Sequence, residues 1–271
     1  MKLLSTFILL LLSLAVRADL TVSNLTTTIV MSPSLVADMA NSVNTKAVST
    51  NTASYSPLGV ATNISDWTYP YNFSSVGITS SGFQSVLIAP NAVISCAHFG
   101  GCGTYFIAMG TDGVTYTNYV AASYSTNDLV LAVLSNSFPS TVVVPFVMPP
   151  EYTNYVPALG GVPAIWLHNV TRTIDYIKLS NVTTPGFQGG TIHFTTSTND
   201  PHGTGIYPSS GDSGSPNYIL VDGIAVLVGC VGDTGGGSCF MSCPAYYQFI
   251  TNHIAQSSLK LFDFTLYRKI R

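Results

Sequence analysis

Charge is scarce in this sequence. Only 8% of its 271 residues are charged, and Glu151 is the single glutamate. No extended basic run occurs, so the chain offers little to a phosphate backbone or an anionic membrane, and nucleic-acid and membrane partners are excluded. Beyond the first twenty residues there is no stretch of the ~18 unbroken apolar residues that a membrane-crossing helix requires. No internal repeat occurs, and no long helical pattern separates the apolar runs.

One apolar run does stand at the start, in MKLLSTFILLLLSLAVRADL. Lys2 supplies a positive beginning, Leu3 to Leu14 an apolar centre, and Val16 and Ala18 a small-residue cleavage site. This is the pattern of a secretory signal peptide over residues 1–18, and it predicts a secreted, extracellular protein. Without Lys2 and Arg17, seven basic residues face twelve acidic ones. Residues 19–55 are rich in Ser, Thr, Asn and Ala and read as a pro-segment or flexible arm.

The texture changes at residue 56. Short apolar runs follow one another between Gly, Asn, Ser and Pro: SVGIT, FQSVLIA, AVISCA, TYFIAMG, DLVLAVL, TVVVPFVM, AIWLHNV, TIHFTT, PNYILV and GIAVLVG. Such spacing predicts an all-β sandwich or barrel. PAYYQFITNHIAQ differs, because Tyr247, Ile250 and Ile254 fall on one face of a helix. The tail, residues 257–271, fits neither pattern clearly.

Five cysteines in an exported chain read as disulfides with one left over: Cys96, Cys102, Cys230, Cys239 and Cys243. Asn24, Asn63, Asn72, Asn169 and Asn181 each begin an N-x-S/T sequon, a weak sign of a glycoprotein with those positions at the surface.

Three segments carry chemistry. In VLIAPNAVISCAHFGGC, His98 follows a strand, turn and second strand. Cys96, His98 and Cys102 could in principle hold zinc, but no fourth ligand is apparent and export favours a disulfide. In STNDLVLAVLS, Asp128 stands at the mouth of an apolar strand, where a partly desolvated carboxylate needs a partner. In YPSSGDSGSPNY, Asp212 directly precedes Ser213 and glycines fence the pair. Each alone has an ordinary explanation: a surface histidine, a strand-initiating aspartate, a turn.

Together, in the order His, Asp, Ser, the motifs VISCAHF, NDLVLAVL and SGDSGSP make the sequence resemble the trypsin/chymotrypsin-like serine peptidases over roughly residues 70–256. GIAVLVG and CPAYYQFITNHI match the family's last strands and terminal helix. The resemblance implies two antiparallel six-stranded β-barrels, about 56–145 and 146–256, with a C-terminal helix. It implies a serine endopeptidase acting on protein or peptide substrates without cofactor or metal, as a monomer. His98 would be the base, Asp128 its orienting partner and Ser213 the nucleophile, with the N–H groups of Gly211 and Ser213 as oxyanion hole. Tyr207 would lie at the base of the specificity pocket and Val226, Leu227 and Val228 in its wall. With no acid there, the pocket should take uncharged residues.

The sequence also departs from the family. The cysteine usual after the histidine is Phe99, and its upstream partner is missing. Cys96 with Cys102, and Cys230 with Cys239 or Cys243, are the alternatives. No IVGG-like start precedes His98, though zymogen cleavage at Lys46 would free Ala47-Val48 to reach Asp212. Otherwise Asp212 needs local donors or a side chain such as Arg172. Two rivals to the enzyme are a protease-like binding protein without catalysis and a secreted β-rich adhesin with coincidental motifs.

Overall fold

The computed structural model describes residues 53–54, 71–150, 163–170, 173–183, 191–195, 210–221, 224–232, 237–240 and 244–263. The leader, nearly all of the arm, Tyr207, Arg172, Cys243, Asn24 and Asn63 lie outside them.

The first unit is a closed six-stranded barrel. Its strands are β2 (Val76–Thr79), β3 (Gln84–Ala89), β4 (Ala92–Cys96), β5 (Tyr105–Met109), β6 (Thr115–Thr126) and β7 (Leu129–Leu134), joined in the order β2-β3-β4-β7-β6-β5. Alternation on a strand sends successive side chains to opposite faces. In β3, Leu87 joins Val93, Phe106, Ala132 and Leu134 in one core cluster, while its neighbours Val86 and Ile88 join Ile94, Leu129 and Leu131 in another. The second cluster also holds Ile165, Leu167, Tyr218, Leu227 and Tyr246, so β3, β4 and β7 are buried on both faces. That double burial is why these strands read as unbroken apolar runs.

The second unit is an eight-stranded sheet. It comprises β1 (Ala53–Ser54), β8 (Phe146–Val147), β9 (Pro163–Leu167), β10 (Thr173–Thr183), β11 (Thr191–Thr195), β12 (Pro216–Val221), β13 (Ile224–Val231) and β14 (Gly237–Phe240). The pairings run β9-β10-β11-β14-β13-β12, and β12 pairs again with β9. The described residues are thus mostly β, with one helix of note among them, α1 (Pro244–Thr251). Proline at its first position has its φ preset and no N–H to leave unpaired. Tyr247, Ile250 and Ile254 are buried, as the periodicity predicts. His253, just past the helix, stacks on Tyr124 of β6 with ring centroids 3.7 Å apart.

Several expectations are corrected. TVVVPFVM contributes only the two residues of β8, because Val142 and Val144 enter the barrel core from irregular backbone held by bonds such as Val143 N–H to Ser74 Oγ. β6, β10 and β14 were not foreseen. Cys102 is a free thiol, so no bridge to Cys96 forms. Cys230 stands opposite Cys239 in the β13–β14 register. Asn169 is buried rather than at the surface, whereas Asn72 is exposed.

Candidate active site

His98 hangs from the end of β4. Gly100 N–H closes a turn onto the Ala97 carbonyl, and the ring projects with 38% of its side chain exposed. Asp128 sits on the neighbouring connection, in the two-residue turn between β6 and β7. That turn needs a left-handed residue, and Asn127 supplies it with φ 49. Since β4 and β7 pair, with Cys96 opposite Leu129, the two side chains are brought together by register alone.

The contact between them is dense. Asp128 Oδ1 accepts the backbone N–H of Ala97 at 3.1 Å and of His98 at 3.0 Å. His98 Nδ1 lies 2.8 Å from Oδ1 and 2.7 Å from Oδ2. An ionised carboxylate only accepts, so Nδ1 carries the proton and Nε2 is left to accept. Nε2 lies 2.8 Å from Ser213 Oγ, whose hydroxyl can then donate to it.

Ser213 comes from the other unit, in the turn before β12, and is 1% exposed. The turn is fixed by its glycines and by bonds to β13. Gly214 N–H donates to Val231 O at 2.7 Å, and Val231 N–H returns to Ser215 O at 2.9 Å. Gly211 has φ +105 and Gly214 φ +86, backbone that side chains resist. A Cβ on Gly214 would also overlap the Gln84 carbonyl oxygen of β3. Among the described residues, none accepts a hydrogen bond from the N–H of Gly211 or Ser213.

Asp212 is wholly buried. Its Oδ1 accepts Val170 N–H at 3.0 Å, and its Oδ2 lies 3.3 Å from His168 Nδ1. Sequence reasoning missed His168; its place at the end of AIWLHNV, after a strand, was the available signal. Phe99 stacks on Phe83 at 4.3 Å and lies tilted against the His98 ring at 4.5 Å, so an aromatic pair fastens the histidine loop. Burial, then the nearby Cys96, push the Cys102 thiol up to about 12, and a hydrogen bond with Ser95 pulls the other way.

Val226, Leu227 and Val228 lie in β13 and are wholly buried, and Met148 N–H donates to the Leu227 carbonyl. Val228 is the bulged residue, since Tyr218 pairs with Leu227 and Asn217 with Gly229. Among the described residues no three His, Cys, Asp or Glu side chains converge as metal ligands.

No family model matches the chain, and no curated protein does. Among solved structures it is similar to the NS6 protease of murine norovirus, crystallised as an inactive chimera with an altered cleavage junction in its extended C-terminus. The two are 13% identical with a TM-score of 0.38, over 62% of this chain and 91% of that one. So slight a likeness carries no function across.

Proposed function

We propose that the chain is a secreted serine endopeptidase of the chymotrypsin-like type. In this reading the ring of β9 to β14 pairings is a second barrel, the units divide near residue 145, and the site lies in the cleft between them. One observation carries the reading: the hydrogen-bonded line from Asp128 through the two nitrogens of His98 to Ser213 Oγ.

The chemistry follows from that line. A serine hydroxyl is a weak nucleophile until a base takes its proton. As Ser213 Oγ attacks a peptide carbonyl, Nε2 receives the proton, and Asp128 stabilises the imidazolium that forms. The carbonyl oxygen becomes an oxyanion, to which the N–H groups of Gly211 and Ser213 are the available donors. The imidazolium then gives its proton to the leaving amine, leaving an acyl-enzyme. Water, deprotonated by the same nitrogen, releases the acid and restores Ser213. Cleavage after uncharged residues is expected, because a cation in an apolar pocket loses hydration without gaining a partner.

Treating the secreted protein with a fluorophosphonate probe and mapping the adduct tests the reading. Labelling at Ser213 that is lost in His98→Ala supports it. An unlabelled Ser213, in a folded sample under any activating treatment, makes the chain a binding protein with a peptidase's shape.

A further inference from the structure

A carboxylate with no exposed surface must have its charge met by donors. Asp212 has this need and adjoins the nucleophile. Two residues just after β9 meet it, and the residue between them holds the same turn. The Val170 N–H donates to Oδ1 at 3.0 Å, and His168 Nδ1 faces Oδ2 at 3.3 Å. Asn169 Nδ2 donates to the Gly211 carbonyl at 2.8 Å, on the same turn. Trp166 stacks on the His168 ring at 4.0 Å and fixes its plane. The Val170 side chain closes over the turn, since a Cβ on Gly211 would lie 2.8 Å from its Cγ2.

Strand register delivers this arrangement. β9 pairs with β12, Trp166 opposite Asn217, and β12 begins three residues after Ser213. The segment that leaves β9 therefore runs beside the turn that enters β12.

We propose that His168, Asn169 and Val170 form a built-in brace on the Gly211–Ser213 turn, which sets the oxyanion donors without a newly released N-terminus. The proposal rests on the peptidase reading above. Both carboxylate oxygens of Asp212 are engaged by this brace, so an amine freed at Ala47 is not needed to hold them. His168 and Asn169 are positioning residues; they act through Asp212 and Gly211. The same geometry makes the Asn169 sequon a poor glycan acceptor, since its amide nitrogen is spent on Gly211.

The test uses the full secreted chain. Lys46→Gln should keep wild-type turnover. His168→Ala should lower kcat by roughly 10- to 100-fold, less than the roughly 10²–10³ that outright loss of an oxyanion donor costs, while KM changes little. Affinity for a peptide aldehyde, which mimics the tetrahedral state, should fall in step with kcat. Adding Asp212→Asn to His168→Ala should recover several-fold activity, because the unmet charge is removed. Asn169→Ala, a smaller change, decides the matter if His168→Ala does not fold: reduced kcat with unchanged KM supports the brace. Full turnover in both single variants, or activity that requires cleavage at Lys46, overturns it. Fluorophosphonate labelling of wild-type Ser213 separates the two failures. An unlabelled wild type sinks the peptidase reading, whereas a labelled wild type with indifferent variants sinks only the brace.

Discussion

Gly214 and Gln84 meet backbone to backbone: the glycine of the serine turn lies against the carbonyl of β3 with no room for a methyl group between them. Ser95 Oγ, 3.3 Å from the same point, closes the other side. Here the two units touch, and Ser213 is one residue away.

Gly214→Ala should therefore be among the most damaging small substitutions. Its φ of +86 costs about 1–2 kcal/mol for an L-residue, and the overlap adds about 1–3 kcal/mol. Urea denaturation should record a loss of about 3 kcal/mol. An unchanged midpoint would mean that β3 does not approach the turn as described.

The triad reading makes a kinetic prediction. Ser213→Ala, His98→Ala and Asp128→Asn should each lower kcat by roughly 10⁴ or more with folding intact. Combining the first two should cost little more than the worse one, because the groups act as a unit. Additive losses, or wild-type turnover in either of the first two, would refute the roles assigned.

Cys102 predicts how the protein behaves in alkali. Burial raises its folded pKa from 9.0 to about 12. The folded state thus holds the thiol proton more tightly than the unfolded state does. The resulting stability is fully present below about pH 9 and is lost as pH rises toward 12, with a ceiling of about 4 kcal/mol. Thermal unfolding at pH 8 and pH 10.5 should show the decline, smaller in Cys102→Ala. A maleimide should modify Cys102 at pH 8 only after denaturation; prompt labelling of native protein would contradict its burial.

The Phe83–Phe99 stack predicts a coupling. Each ring is half-buried, and stacked pairs contribute about 0.5–1.5 kcal/mol beyond area. A double-mutant cycle with alanine at both positions should return about 1 kcal/mol of interaction. Either single change should also lower kcat, since Phe99 flanks the His98 ring. Strict additivity would show that the stack does not fasten the loop.

What was legible in the sequence divides along a physical line. The strands buried on both faces announced themselves as apolar runs, and VISCAHF and NDLVLAVL each carried one of the two residues that meet, His98 and Asp128. β6 did not, because it shows solvent one face: Thr115, Thr117, Tyr119 and Ala121 are exposed, and Ser and Thr fill much of the rest. Its period-two alternation was present but too polar to stand out. β14 was hidden by Gly235, Gly236 and Gly237, which read as a loop. The role of His168 was hidden for another reason: its partner is 44 residues away, and only the pairing of β9 with β12 makes them neighbours. The sequence demanded a partner for Asp212 without being able to name it.

The connectivity of the site also sets a schedule. His98 and Asp128 are 30 residues apart, on adjacent strands of one barrel; His98 and Ser213 are 115 apart, on different units. Closing the longer loop costs more entropy, and the N-terminal unit leaves the ribosome first. A nascent chain thus completes the His98–Asp128 pair long before Ser213 comes within reach, so on the peptidase reading it cannot cut itself or its neighbours until both halves have docked.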